Sequence, residues 1–545
     1  MTLCSPGRAG VDRHLLLSCG VIKRFHDMTS GIHHITLITR KVQANVDFYA
    51  GFLGLRLVKR TAGFEDAMQL HLLYGDAIGS PGSLVTFLVW EDGAPGRVGH
   101  GQPSEIAFAI APESIGFWLT RALRYNISTT GPTQEFDEPV IRLKDPDGVI
   151  VKLVGTAALA TDTPCATQEI LPQDAIRRLR GATILTDKPE GTAAFIGRHF
   201  GYAETARTET IRRLGSASGD VIDVRDASGF WTAAPGTGTI DHIAFRAADR
   251  AAVDDLRTRL AAEDAGTISA HDRKYFFSLY VREPAGTLFE FATDAPGMTV
   301  DEDVASLGTR LFVPEHFGGD LESNLVVLPQ FALPGEERFT QRDLPFIHRL
   351  HQPDHPDGRT LVLLHGSGAN ETSLLPLGRQ IAPNSLLFSL RGRSTEEGFP
   401  RFFRRITPFS FDQKDIVSEV EAFVAMIEGA VPAYGIDRER MVFIGYSNGA
   451  NMLIATMLLH PGLIRNAALL RMMNPLETVP DADLSGTNIL TVTGATDAYS
   501  RYASPLEAIL RKAGATLETV TLKAGHEIGD MDAKAVREWL KSFGA

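Results

Sequence analysis

Two groups of residues in this sequence have types and spacings that do chemistry. The first is Gly445-Tyr446-Ser447-Asn448-Gly449, of the form G-x-S-x-G. An apolar run, Met441 to Ile444, leads into it, and another, Ala450 to Leu459, leads away. A strand therefore enters the turn and a helix leaves it, the context a nucleophile elbow needs. A serine hydroxyl attacks only with a base beside it and a third group to orient that base. In the order serine, acid, histidine, the candidates are Asp497 and His526, each just beyond an apolar strand-like run, Asn488 to Thr493 and Leu517 to Leu522. Glu527 and Asp530 compete with Asp497 on sequence alone. His365-Gly366-Ser367-Gly368 ends an earlier strand, so the backbone N–H groups of Ser367 and Asn448 are candidates for an oxyanion hole.

The second group emerges from an internal repeat. Residues 30–155 and 178–294 read as two copies of one unit, each built of strand–helix–strand pieces. Asp145-Pro146-Asp147-Gly148 closes the first copy and Glu283-Pro284-Ala285-Gly286 the second, each a tight turn before a last strand. Aligned, the copies set His34 against Gly181, His242 against Glu105 and Glu290 against Lys152. One set, His34, His242 and Glu290, is complete as two imidazoles and a carboxylate. Its counterpart cannot bind a metal in the same way. Two histidines and one carboxylate leave coordination positions open and suit Fe(II), with Mn(II) as the alternative. Any one of the 16 histidines is more often structural, so the weight rests on the asymmetry of the repeat. His33 and His34 are adjacent on a strand, and strict alternation sends them to opposite faces. One ligand is expected from that pair.

Gly31-Ile32-His33-His34-Ile35-Thr36-Leu37, Asp241-His242-Ile243-Ala244-Phe245 and Leu288-Phe289-Glu290-Phe291 resemble the vicinal oxygen chelate superfamily (glyoxalase, bleomycin resistance, extradiol dioxygenase). The resemblance is strongest to its branch of hydroquinone-type ring-cleaving dioxygenases and covers residues 30 to about 330. It implies paired βαβββ modules, Fe(II) held by His34, His242 and Glu290, and an aromatic substrate cleaved with dioxygen. It also implies second-sphere roles for His33 and Asp241, and pocket roles for Arg273, which would stabilise an anionic oxygen, and Tyr280, which would donate or relay a proton. On residue type alone, Arg273 reads equally as a surface ion pair and Tyr280 equally as core. Some relatives in this branch have a histidine where Asp241 stands, a departure that bears on substrate detail. Glyoxalase sites use more carboxylates and fewer histidines, and single-unit thiol transferases are shorter. A glyoxalase-type isomerase or lyase, or a non-catalytic small-molecule-binding module, is the alternative for this half. Residues 345–545 resemble the phospholipase/carboxylesterase group of α/β hydrolases.

The elements that must position these groups are of α/β and α+β class. The expected divisions are an extension over 1–28, a first βαβββ module over 29–155, a linker rich in Ala, Thr and Pro over 156–177, and a second module over 178–294. A connecting segment over 295–344 follows, expected to pack on the first domain, and then an α/β-hydrolase domain over 345–545. The two copies are expected to pool their strands into one curved sheet. Met28 is read as the natural start, with the preceding residues a mis-assigned or disordered extension.

Composition bounds the partners. The chain has 545 residues, 44% hydrophobic and 22% charged, ordinary for a folded soluble protein. A net charge of −12 disfavours nucleic acid, and no apolar run is long enough for a membrane helix. Cys4, Cys19 and Cys165 lie outside every motif, which favours a reducing cytoplasm. The expectation is a bifunctional enzyme, a dioxygenase fused to a serine esterase that takes an acyl or lactone substrate. It needs a metal and no organic cofactor, and an oligomer is left open.

Overall fold

The computed structural model describes residues 31–157, 164–263, 268–317, 325–338 and 341–542. The expected extension over 1–28 lies outside the described residues. The chain forms two compact units. The first runs to Glu315 and takes in Phe331–Arg338, and the second takes in 316–330 and everything from 339 on.

The first unit contains four βαβββ modules, two within each of the stretches expected to form one. Their strands are β1 (Ile32–Thr39), β2 (Arg56–Ala62), β3 (Leu70–Gly75) and β4 (Leu84–Val89); β5 (Gln102–Ile110), β6 (Thr129–Glu135), β7 (Glu138–Lys144) and β8 (Ile150–Gly155); β9 (Arg178–Thr186), β10 (Ala203–Arg207), β11 (Ile211–Gly215) and β12 (Val221–Asp226); and β13 (Thr239–Ala247), β14 (Ile268–Asp272), β15 (Phe276–Arg282) and β16 (Leu288–Pro296). A short β17 (Leu311–Phe312) adds to the edge of β2. Two sheets form rather than the single one expected. One has the order β14-β15-β16-β13-β1-β4-β3-β2-β17, the other β10-β11-β12-β9-β5-β8-β7-β6. Each sheet joins the first module of one copy to the second module of the other, through the antiparallel seams β1–β13 and β5–β9. The physical reason is that each copy carries two complete modules, and each module needs a second to extend its sheet. Every residue of β1 is buried, as a strand at the centre of a covered sheet must be.

The connecting segment divides between the units, against the expectation that it packs wholly on the first. The ammonium of Lys59, on β2, is held by Asp301 at 2.6 Å and Glu302 at 2.5 Å, and Gln43 bonds both backbone groups of Ala332 at 2.8 and 2.9 Å. Those stretches belong to the first unit. Val326 instead buries its side chain in the core of the second, with Leu361, Leu363 and Trp539. Val327 packs against the same cluster, so apolar burial decides which unit claims this stretch.

The second unit is a seven-stranded sheet. Its strands are β18 (His348–His351), β19 (Thr360–Leu364), β20 (Leu386–Leu390), β25 (Met441–Tyr446), β26 (Asn466–Leu470), β27 (Asn488–Gly494) and β28 (Thr516–Leu522), in the order β18-β20-β19-β25-β26-β27-β28. Two small hairpins, β21 (Ser394–Glu396) with β22 (Phe399–Arg401) and β23 (Arg405–Thr407) with β24 (Ser410–Phe411), lie between β20 and β25 in the chain. Only β18 runs antiparallel to its neighbour. The helices Gln413–Tyr434 and Asn448–Leu459 contribute to one apolar core. The helices Leu375–Ile381 and Asp530–Lys541 contribute to a second. The Phe402-Phe403 pair is wholly buried in the first of these.

Candidate metal centre and candidate nucleophile site

The strands β16, β13 and β1 are neighbours, and each presents one side chain to a common point. His34 Nε2 lies 3.1 Å and His242 Nε2 2.8 Å from Glu290 Oε2. All three residues are buried, Glu290 completely, and their donor atoms fall within 4.8 Å of one another. His242 Nε2 and Glu290 Oε2 are buried and have no hydrogen-bond partner of good geometry. Buried, convergent and unsatisfied donors of this set fit a divalent cation of borderline hardness. Burial raises the Glu290 carboxyl, but His34 and His242 outweigh it and hold it well below its usual range. Burial opposes charge on His242, but the hydrogen bonds and charges of Asp241 and Glu290 prevail and push it up to about 9.

Strict strand alternation fails at both candidate ligand histidines. Across β1 and β13, Ile32 pairs with Phe245 and His34 with Ala244, so His33 is an extra residue. Thr36 pairs with His242 and Leu37 with Ile240, so Asp241 is another. Each is the unpaired residue of a bulge, which re-aims its side chain. His33 Nδ1 consequently meets His34 Nδ1 at 2.9 Å, and Asp241 Oδ2 meets His242 Nδ1 at 2.7 Å. Burial and then the charge of His34 lower His33 to about 3, and it bonds the Thr293 backbone. Of the two facing Nδ1 atoms, one donates and the other accepts. The hydroxyl of Ser278 donates to the other Glu290 oxygen.

A cavity of about 190 Å³ opens over these donors, lined by His34, His242 and Asp241 at its floor and by Phe64, Leu73, Leu88 and Phe276 among its walls. Arg273 and Tyr280 also line it. The Arg273 guanidinium lies 5.6 Å from the Tyr280 ring centre and pairs with the exposed Glu65 at 2.9 Å. Both readings of Arg273, ion pair and pocket residue, thus describe the same side chain. Burial, then the Glu290 charge, raise the Tyr280 phenol, against the pull of Arg273. Sequence reasoning missed His71. It lines the cavity from β3, its Nε2 is buried without a partner, and burial followed by the charges of His34 and Arg273 lowers it to about 3. Only its place opposite Leu88 in the β3–β4 register distinguishes it, and register is not written in sequence. In the other sheet, Lys152 and Glu105 form an ion pair at 2.6 Å, with Gly181 on the neighbouring β9.

In the second unit β25 delivers Ser447 into the turn with φ 52° and ψ −111°, a region that side chains rarely occupy. A Cβ on Gly449 would stand 2.1 Å from the Leu364 carbonyl oxygen, and one on Gly445 2.6 Å from Ala450, so neither position tolerates a larger residue. Ser447 Oγ lies 3.1 Å from His526 Nε2, and His526 Nδ1 lies 2.9 Å from Asp497 Oδ2. Glu527 instead accepts from the Gly525 N–H at 3.1 Å. Ser367, Ser447, Asn448 and His526 share one cleft of about 240 Å³. The Asn448 side-chain oxygen, buried beside the elbow, accepts from the Phe402 N–H at 2.7 Å.

The glyoxalase/bleomycin resistance protein/dioxygenase superfamily matches residues 31–153, and the phospholipase/carboxylesterase family matches 347–543. A Bacillus subtilis protein named "Putative ring-cleaving dioxygenase MhqO" is 34% identical over 312 residues, 57% of this chain and 98% of that protein. The chain belongs to both families, one in each half. Its dioxygenase-superfamily half is also 29% identical over 308 residues to the "Chlorohydroquinone/hydroquinone 1,2-dioxygenase" of Sphingobium indicum, over 54% of this chain and 94% of that protein. Its carboxylesterase-family half is similar to the B. subtilis "Putative hydrolase MhqD", 33% identical over 183 residues, 33% of this chain and 92% of that protein. No helix among the described residues is long and apolar enough to cross a membrane.

Proposed function

We propose that this chain joins two enzymes: a metal-dependent dioxygenase that cleaves the ring of a hydroquinone or related phenol, and a serine hydrolase of carboxylesterase type. The convergence of His34 Nε2, His242 Nε2 and Glu290 Oε2 on one buried point carries the first reading. The named activities of the relatives over the same residues support it. We assign Fe(II) to these three residues, with Mn(II) the alternative. Bound there, the ion would supply a Lewis acid for a phenolate oxygen and a path for electrons to dioxygen.

The chain's own residues do the rest. Asp241 and His33 fix the tautomers of His242 and His34, so that each offers Nε2. Phe64, Leu73, Leu88 and Phe276 enclose the ring and exclude water. Tyr280, protonated by virtue of its burial, donates to a substrate oxygen. Arg273 stabilises negative charge on that oxygen. His71 offers its unpaired Nε2 to the far hydroxyl of the ring.

In the hydrolase, His526 Nε2 takes the Ser447 proton as the oxygen attacks an acyl carbon. Asp497 orients His526, and the N–H groups of Ser367 and Asn448 stabilise the oxyanion. The acyl group is one produced downstream of ring opening. The cytoplasm is the compartment we assign, on the sparse cysteines and the free thiol of Cys165.

Oxygen consumption by anaerobically purified protein reconstituted with Fe(II) tests the first activity. Uptake with a panel of hydroquinones, matched to loss of aromatic absorbance and absent from His242→Ala, is expected. No uptake from protein shown to hold Fe(II) would sink the dioxygenase and favour the isomerase or binding-module alternative.

A further inference from the structure

The geometry points to an anionic substrate for the hydrolase: an ester or other activated acyl compound whose acyl chain ends in a carboxylate, held by Arg401 with help from Arg405. The inference rests on the serine-hydrolase reading above and adds the chemical class of what that site takes.

Three arginines, Arg401, Arg405 and Arg471, line the cleft that holds Ser447 and His526, and no aspartate or glutamate does. Arg471 is already neutralised, since it meets Asp532 at 2.7 Å in full burial. Arg401 and Arg405 share a single carboxylate. Glu396 lies 2.9 Å from Arg405 but 3.4 Å from Arg401 Nε. Two guanidiniums against one carboxylate leave one positive charge in excess. Arg401 is buried, 5% exposed, and its Nε faces Glu396 Oε2 at 3.4 Å without making a hydrogen bond of good geometry. A buried guanidinium with an unused donor is costly unless an anion completes it. Burial, followed by the Arg405 charge, holds the Arg401 guanidinium below its usual range, and the shared Glu396 only partly opposes them.

The fold fixes Arg401 beside the reacting atoms. Pro400 accepts from the Gly368 N–H at 3.0 Å, which ties β22 to the loop that carries Ser367. Phe402 donates to the Asn448 side chain at 2.7 Å, which ties the other flank to the residue after the nucleophile. Arg401 thus sits between two tethers, each one residue away and each anchored in the oxyanion loop or the elbow. An acyl chain whose carbonyl lies in the oxyanion hole would reach the guanidinium with a terminal carboxylate a few atoms further on. The chemistry is ordinary acyl transfer. Ser447 Oγ bonds to the carbonyl carbon, the alkoxide or other leaving group departs with the proton carried by His526, and water then releases a dicarboxylate and restores Ser447. Oxidative opening of an aromatic ring yields chains bearing just such a carboxylate, so this preference suits a hydrolase fused to a ring-cleaving unit.

The test uses the whole protein with two 4-nitrophenyl esters of matched acyl length, butyrate and the mono-ester of succinate. The wild type is expected to show kcat/KM for the succinate ester at least ~10-fold above that for the butyrate, the order expected of one charge-assisted hydrogen bond. That ratio should shrink with added salt. Arg401→Gln should lower the ratio by roughly 10-fold, Arg401→Lys should restore part of it, and the more exposed Arg405→Gln should lower it by a smaller factor. Should Arg401→Gln fail to fold, the wild-type ratio, its salt dependence and Arg405→Gln decide. A wild-type ratio at or below one, or a ratio indifferent to Arg401→Gln, overturns the anion preference while Ser447-dependent butyrate turnover keeps the hydrolase. Absence of turnover of either ester, or turnover that survives Ser447→Ala, overturns both.

Discussion

Asp241 Oδ2 lies 2.7 Å from His242 Nδ1, while the opposite nitrogen of the same ring lies 2.8 Å from Glu290. A neighbour in sequence thereby orients a candidate ligand, because a bulge turns both side chains toward the cavity. A carboxylate behind a metal-binding imidazole fixes its tautomer and raises its basicity. Asp241→Ala is expected to weaken divalent-metal binding by roughly 10- to 100-fold, and Asp241→Asn, which keeps the acceptor but not the charge, by less. Competition with a chromophoric chelator measures this, and equal affinities in the three proteins would remove Asp241 from the site.

The same ring predicts a pH dependence. His242 is raised from 6.5 to about 9, so at neutral pH a proton occupies it when no cation is bound. Metal must displace that proton. Apparent affinity for Mn(II) should rise about 10-fold per pH unit toward pH 9 and flatten above it. The stability that the raised value lends the metal-free fold is fully present below pH 6.5 and lost as pH rises through 9. Chelator competition between pH 6.5 and 10 reads the first effect. A flat profile would contradict the shift.

His71 carries a third prediction. Its buried Nε2 has no partner within the protein, and in the proposed reaction it meets the far hydroxyl of the ring. His71→Leu should reduce kcat/KM for a hydroquinone by roughly 3- to 10-fold, the worth of one hydrogen bond, and change that for a mono-hydroxylated phenol less. Equal losses on both substrates would assign His71 to packing alone.

The elbow stores backbone strain. Ser447 has φ 52° and ψ −111°, which costs a residue with a side chain on the order of 1–3 kcal/mol. Ser447→Gly should therefore abolish ester hydrolysis and raise the stability of the second unit by roughly that amount, whereas Ser447→Ala should abolish activity with no such gain. Thermal unfolding of the two variants separates them, and a Gly variant less stable than the Ala variant would refute stored strain.

Metal loading should also protect the first unit. A cation at His34, His242 and Glu290 would join three strands, one from the first copy and two from the second. Chelation should lower the unfolding temperature of this unit and leave that of the second unchanged. A decrease shared by both transitions would place the metal elsewhere.

Sequence alone determined what local rules determine. The G-x-S-x-G turn, with its flanking apolar runs, specified strand, elbow and helix, because glycine is required wherever backbone passes as closely as it does at Gly449. The repeat specified which positions correspond, and hence that His34, His242 and Glu290 form the complete set and Gly181, Glu105 and Lys152 the degenerate one. Tertiary structure decided the rest. Whether the two copies build one sheet or two depends on which edges meet, a long-range choice that the period-2 pattern of each strand leaves open. The bulges at His33 and Asp241 break the alternation on which the sequence argument relied, because an unpaired residue appears only once two strands are in register. His71 and Arg401 come from segments with no motif, and pairing or chain tethers carry them to their cavities. Their chemistry follows from burial and missing partners, which exist only after the chain has folded.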